Sequence, residues 1–108
     1  MTTLLRSALL ISFSLGALAH AGTPVPEFWT SKCKSCHGAD GKADTKTGKK
    51  EKIADMSTDA WQTEWTDAKQ TKIVMEGSKD NKKMKPFKDK LSADEVAGLV
   101  KLIRTFKK

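Results

Sequence analysis

The sequence predicts a small all-α domain of about four short helices joined by long loops. Residues 22–108 contain no run of β-branched residues and no alternation of apolar and polar residues, the two patterns expected of strands. Apolar residues near the C-terminus recur at helical spacing, and capping residues or glycines mark the ends of most predicted helices. With 108 residues, the chain has room for one such domain.

Residues 1–21 are predicted to be a secretory signal peptide. Arg6 precedes an apolar run, and Ala19-His20-Ala21 places small residues at the two positions that a signal peptidase reads. An uncleaved membrane anchor fits less well, because the run covers about a dozen residues and a spanning helix needs about 20. We expect cleavage after Ala21, a periplasmic mature chain of residues 22–108, and no stable membrane insertion afterwards.

The first predicted helix is "PEFWTSKCKSCH", residues 26–37. Pro26 suits the first turn of a helix, and Gly38 suits its end because glycine readily adopts the backbone conformation that terminates many helices. The following residues, 38–52, are rich in glycine and lysine and show no periodicity, so they are predicted to form a loop.

Two further helices are predicted in the middle of the chain. Trp61 and Trp65 are four residues apart, which places them on one face of a short helix. Thr66 is a favourable N-cap for the next helix, which is expected to end near Gly77. Residues 78–90 follow as a second lysine-rich loop, and this loop contains Met84.

The last predicted helix has the clearest signals. Ser92 and Glu95 have the spacing of a capping box, in which each side chain bonds to the backbone N–H of the other residue. Apolar residues then recur along one helical face. These residues are Val96, Leu99, Val100, Ile103 and Phe106.

Both cysteines of the chain lie in one short motif, Cys33-Lys34-Ser35-Cys36-His37. A disulfide between cysteines three apart would close almost no loop and would stabilise little. A redox dithiol belongs beside a βαβ pattern, and zinc needs four ligands, whereas His37 is the only histidine of the mature chain. Cys-x-x-Cys-His is the attachment signature of c-type haem, so one covalent haem is favoured, held by Cys33 and Cys36 with His37 on the iron.

The second axial ligand is predicted to be Met84. Met75 falls inside a predicted helix beside two apolar residues, so core packing explains it, and Met56 has no clear assignment. Met84 lies in a loop between lysines, which is unusual for a core residue and suits a ligand reaching in from the surface. A lysine ligand or an open position remains an alternative. Trp61 and Trp65 are expected in the core, where one indole N–H could meet a haem propionate.

The chain resembles the small soluble class I c-type cytochromes of bacteria. The resemblance covers nearly all of residues 22–108 and rests on elements in the family's order. These are an aromatic residue before the motif, "CKSCHGADGK", a middle helix ending at Gly77, "MKPF", and "LSADEVAGLVKLIRTF". It implies a cytochrome c fold wrapped around one covalent haem, with His37 and Met84 as axial ligands.

The same resemblance implies that Trp29 packs against Leu99 and Leu102 of the last helix. The chain departs from the family at one point. Many members carry a proline after the haem motif whose carbonyl accepts a hydrogen bond from the axial histidine, but no proline occurs here between Pro26 and Pro86. Another backbone carbonyl is therefore expected to orient His37.

Two filled axial positions leave the iron no site for a substrate, and a histidine–methionine pair raises its reduction potential. The sequence therefore predicts an electron-transfer protein and not an enzyme. One alternative is a haem enzyme or a protein that binds gas or peroxide after displacement of Met84. Another is a haem subunit of a larger redox complex.

Charge suggests the kind of partner. Without Arg6, 19 Lys and Arg residues and 13 Asp and Glu residues remain, a net charge of +6. A lysine cluster surrounds Met84 and is expected to dock an acidic redox protein, although it could also be a merely solvated loop. Nucleic acid is a poor candidate for an exported protein, and we expect a monomer. The cluster consists of Lys79, Lys82, Lys83, Lys85, Lys88 and Lys90.

Overall fold

A computed structural model describes residues 23–108, so the predicted signal peptide lies outside the described part of the chain. No strand occurs among these residues, and the predicted all-α fold is confirmed. None of the described helices is long and apolar enough to cross a membrane. The elements are α1 (Val25–Phe28), a π-helical turn (Trp29–Cys33), α2 (Lys34–His37), α3 (Lys46–Lys50), α4 (Asp59–Glu64), α5 (Asp67–Glu76) and α6 (Ala93–Arg104).

α1, the π-helical turn and α2 follow one another without a break and form the first helix, residues 25–37. Pro26 lies in its first turn, and Gly38 ends it with a positive φ of 81°, as the sequence predicted. The π-helical turn was not predicted. It adds a residue to one turn just before the haem motif, and no residue type in "WTSKC" signals such a turn.

The prediction of a continuous loop over residues 38–52 is wrong, because α3 lies within it. The side chain of Thr45 caps α3 by accepting a hydrogen bond of 2.8 Å from the backbone N–H of Gly48. Gly48 then lies against other backbone, since a Cβ on it would be 2.2 Å from the carbonyl oxygen of Ala43 and 2.8 Å from that of Cys36. α3 packs through this glycine and has no apolar stripe that the sequence could reveal.

The caps of α5 and α6 agree with the sequence. Thr66 caps α5 through the backbone N–H of Lys69, and Gly77 ends it with a φ of 76°. Ser92 and Glu95 form the predicted capping box at the start of α6. α6 ends at Arg104, so Phe106 lies beyond the helix to which it was assigned.

The core lies where the first helix crosses α6. Trp29 and Leu99 belong to one buried apolar cluster, and Leu102 packs against it, in agreement with the implied packing. The two helices approach closely at Gly98, where a Cβ would lie 2.9 Å from Cγ2 of Val25. Phe106 continues the cluster after α6, with its ring centroid 5.0 Å from that of Trp29.

Arg104 joins the end of α6 to α4 and α5. Its Nη1 donates to the backbone carbonyl of Gln62 at 2.6 Å and to the Gln62 side chain at 2.8 Å. Its Nη2 donates to the carbonyl of Trp65 at 3.0 Å and to Asp67 at 2.8 Å. One guanidinium thereby satisfies two backbone carbonyls at the turn between α4 and α5 and fixes the backbone beneath Trp65.

Gly48 provides a test of the α2–α3 contact. Gly48→Ala should lower the free energy of unfolding by about 1–3 kcal/mol, because the added methyl group meets backbone atoms that have no rotamer to move into. Urea unfolding of the purified protein measures this difference. Lys46→Ala, an exposed change in the same short helix, should have little effect. Equal stabilities for wild type and Gly48→Ala would contradict the contact.

Candidate functional site

A cavity of about 630 Å³ lies beside the core and falls in the size range of cofactor sites. Its walls come from the first helix, from both ends of α3, and from α4, α5 and α6. The loop of residues 78–90, which we call the Met84 loop, completes them. The structure brings all of the predicted site residues to this one cavity. They are Cys33, Cys36, His37, Trp61, Trp65 and Met84.

Cys33 and Cys36 are free thiols on neighbouring turns of the first helix, and both are half-buried. Burial, followed by the nearby Cys36 thiol, raises the pKa of Cys33 to about 11. A thiol that stays protonated at neutral pH is a poor redox nucleophile. Within residues 23–108, moreover, no group of three His, Cys, Asp or Glu side chains is arranged to hold a metal ion.

His37 is the last residue of α2 and presents its half-buried ring to the cavity. Burial lowers its pKa, which favours the neutral imidazole that binds metals. The indole N–H of Trp29 donates to the carbonyl of Gly38 at 3.0 Å and fixes the turn directly after His37. The Trp29 ring itself lies 5.9 Å, centroid to centroid, from the imidazole.

The carbonyl expected to orient His37 is not found in the described part of the chain. Nδ1 of His37 is buried and has no hydrogen-bond partner among residues 23–108. The missing proline of the family pattern therefore coincides with a missing hydrogen bond to the imidazole. Orientation of the ring rests instead on burial and on contact with the Trp29 indole.

Two of the three methionines that were considered as ligands line the cavity. Met84 and Met56 are among its lining residues and Met75 is not, although all three pack against the buried cluster. The backbone carbonyl of Met84 accepts a hydrogen bond of 3.0 Å from the N–H of Ser78, which closes the first half of the Met84 loop. Gly77 permits this closure, since a Cβ on it would lie 2.8 Å from the same carbonyl oxygen.

Trp61 and Trp65 form one wall of the cavity. Their rings stack with centroids 5.7 Å apart and planes inclined by 13°, so they lie on one side as predicted. Trp65 itself is the C-cap of α4 and lies just beyond the helix to which it was assigned. Both are half-buried, and they line the cavity more than they fill the core.

Gln70 also lines the cavity and was missed by sequence reasoning. It is 1% exposed, its Nε2 donates to the carbonyl of Trp65 at 2.9 Å, and its Oε1 has no partner in the described chain. A signal was present in the sequence. Gln70 lies three and four residues before Ile73 and Val74, which places a polar side chain on the apolar face of α5.

The residues of this cavity fit a covalently held haem. Two thiols at the attachment spacing would carry its thioether bonds, the neutral imidazole beside them is a group that binds metals, and a methionine sulfur lines the cavity from another segment. Aromatic and aliphatic side chains, including Phe28, Trp61 and Phe87, offer flat apolar contact. Oε1 of Gln70, which has no partner in the described chain, belongs to a side chain that lines the same cavity.

Comparison with known proteins agrees with this fit. A family model described as cytochrome c oxidase, cbb3-type, subunit III matches residues 21–103. The chain belongs to this family of c-type cytochromes. A solved structure, the KustC0563 c-type cytochrome, is 32% identical to it with a TM-score of 0.70, and the match covers 80% of this chain and 100% of that one. No curated protein sequence matches the chain.

Membership in the family settles the cofactor. A c-type cytochrome carries covalently attached haem, so this cytochrome holds haem c, and Cys33 and Cys36 have the spacing of the attachment motif. The resemblance to small class I c-type cytochromes is likewise confirmed, as is the cytochrome c fold.

Covalent attachment can be tested directly. Haem should remain with the protein through acid–acetone extraction, and the intact mass should include one haem. The double variant Cys33→Ser/Cys36→Ser should release its haem into the acetone, because no thioether can form. Ser35→Ala, between the two cysteines, should keep it. Haem that extracts freely from the native protein would contradict the assignment.

Proposed function

We propose that this cytochrome is a periplasmic electron carrier in which His37 and Met84 are the axial ligands of the iron. The observation that carries the proposal is the convergence of a neutral, half-buried imidazole and a loop methionine on one apolar cavity. The position of Met84 within "MKPF" also agrees with the class I pattern.

Haem c supplies a one-electron couple when it is bound. The chain contributes an imidazole from the first helix and a thioether from the Met84 loop, a pair that favours the reduced state. Apolar side chains such as Ile73, Val74 and Phe87 keep water from the site and favour the form with the lower charge. With both axial positions occupied by protein, electron transfer across the cavity edge is favoured over substrate binding at the metal.

A second candidate follows from the family model, whose description names an oxidase subunit. We infer that this cytochrome could serve as a haem subunit of a larger redox complex, or as a carrier for one. Purification from the native cells under mild conditions separates the two. A stable complex with other subunits supports the subunit role, and recovery of the cytochrome alone supports the carrier.

Met84 is the residue on which the proposed ligation is tested. Met84→Ala should abolish the weak sulfur-to-iron charge-transfer band of the oxidised protein and lower the reduction potential. The reduced variant should also bind carbon monoxide much faster than wild type, in which the methionine must first leave. Met56→Ala is the matched control, because Met56 lines the same cavity. Loss of the band in Met56→Ala with its survival in Met84→Ala would assign the ligand to Met56.

We also propose that the lysine cluster around Met84 docks an acidic redox partner. All six of its lysines are exposed, and Lys82 and Lys83 lie at the cavity edge. Positive charge at the edge would steer a negatively charged protein to the point where electrons leave. Lys83 is already paired with Glu51, so the steering charge falls chiefly on the other five lysines.

Salt dependence tests the docking face. The second-order rate of electron transfer to a small acidic redox protein should fall as ionic strength rises, since screening shortens the attraction to about 8 Å at physiological salt. Reversing Lys82, Lys85 and Lys88 to Glu should slow the reaction at low salt with the spectrum unchanged. Reversing the exposed Lys46, Lys72 and Lys101 changes the net charge equally and is the control. Equal slowing by both sets would argue against a docking face.

A further inference from the structure

The Met84 loop is tied to a residue far away in the sequence. Oε2 of Glu51 accepts a hydrogen bond of 3.2 Å from Nδ2 of Asn81, and its Oε1 accepts one of 2.5 Å from Nζ of Lys83. The two donors precede Met84 by three residues and by one. Glu51, Asn81, Lys83 and Met84 all line the cavity, so the tie lies at the edge of the haem site.

We propose that Glu51 is a positioning residue that holds the Met84 loop closed and thereby keeps Met84 available to the iron. The proposal rests on the ligation by His37 and Met84 proposed above. Glu51 touches neither the iron nor the methionine. It acts through the segment that carries the ligand.

Glu51 is well placed to hold another segment because its own backbone is fixed. It is the C-cap of α3, and its N–H donates to the carbonyl of Thr47 at 2.8 Å. Lys52 follows in the left-handed backbone conformation, with a φ of 54°, and the N–H of Ile53 donates to the carbonyl of Gly48 at 2.9 Å. This arrangement is a common way for an α-helix to end. Gly48 in turn rests on the backbone of Cys36, so Glu51 is anchored to the helix that bears the haem motif.

The residues that Glu51 binds form one hydrogen-bonded turn with Met84. The N–H of Met84 donates to the carbonyl of Asn81 at 3.1 Å, and Oδ1 of Asn81 accepts from the N–H of Lys83 at 3.0 Å. Oγ of Ser78 accepts from the N–H groups of Asp80 and Asn81. A single hydrogen bond therefore links Asn81, which Glu51 binds, to the backbone of Met84.

The other fixed points of the loop lie after Met84. The N–H of Phe87 donates to the carbonyl of Val74 at 3.0 Å, and that of Lys88 to the carbonyl of Met75 at 3.3 Å. Across residues 23–108, Glu51 is the residue outside the loop whose hydrogen bonds reach positions 79–83. Removing it should free the first half of the loop and leave the second half attached.

The carboxylate is suited to this contact. Its side chain is 21% exposed against 58% for that of Lys83, so the pair is partly withdrawn from water. The hydrogen bond from Lys83 is the main cause that holds the pKa of Glu51 below its ordinary value. Glu51 is accordingly ionised at neutral pH, and hydrogen bonds to an ionised acceptor are stronger than neutral ones.

The test compares Glu51→Ala, Glu51→Gln and wild type as haem-loaded proteins. Carbon monoxide should bind reduced Glu51→Ala roughly three- to tenfold faster than wild type, because the methionine must leave before the gas can enter. The backbone amides of Ser78 and Met84 should exchange hydrogen faster by a similar factor. Glu51→Gln should lie between, since its amide oxygen still accepts a hydrogen bond but carries no charge.

Asp44→Ala is the matched control. Asp44 pairs with Lys49 at 3.0 Å near the other end of α3, with both side chains 74% exposed, and it lies outside the cavity lining. It should leave both carbon monoxide binding and amide exchange at wild-type rates. If Asp44→Ala speeds both as much as Glu51→Ala does, a general effect of α3 explains the result and the proposal is overturned.

Two further outcomes decide the matter. Unchanged exchange at Ser78 and Met84 in Glu51→Ala, or equal acceleration there and at Val96 and Leu99 in α6, would overturn the proposal, because the loop would then not be held specifically. Failure of the ligation is recognised separately. A charge-transfer band that survives in Met84→Ala removes Met84 as the ligand, while the exchange data still show whether Glu51 holds the loop.

Discussion

Backbone contact between α2 and α3 is the constraint on which the site depends. The carbonyl of Cys36 accepts a hydrogen bond of 2.7 Å from the hydroxyl of Thr45, and Gly48 packs against the same carbonyl. This contact folds the chain after His37 back along the haem motif. It sets the place of Glu51, whose hydrogen bonds reach the first half of the Met84 loop. Two segments that the sequence separates by more than forty residues thus meet at one cavity.

The parts of the fold that could be predicted are those with local signals. The capping box at Ser92, the glycine that ends α5 and the four-residue spacing of Trp61 and Trp65 each involve residues within one or two helical turns. The haem motif is more local still, since five consecutive residues define it. Helix propensity, capping and spacing act over such distances, so a single sequence reveals them.

The parts that could not be predicted depend on contacts between distant residues. α3 is stabilised by a glycine against the backbone of α2, and its sequence has no apolar periodicity and contains a glycine and a threonine that disfavour a helix. The pairing of Glu51 with Asn81 and Lys83 spans some thirty residues, and Glu51 looks like an ordinary surface charge in the sequence. Gln70 resembles many solvent-facing glutamines, although its burial follows from the apolar neighbours on its face. Packing, and not local propensity, decides these features.

The crossing of the first helix with α6 bears on the order in which the molecule can assemble. Residues 25–37 and 93–104 are the outer segments of the described chain, yet they form its central contact. Core formation must therefore wait until the C-terminal segment is present, because the entropy of closing so long a loop is lost before any buried contact is gained. A chain that is synthesised with its N-terminal end first exposes Cys33, Cys36 and His37 before α6, the partner of their helix, is present. The two thiols are thus accessible for attachment to the porphyrin until α6 packs against the first helix.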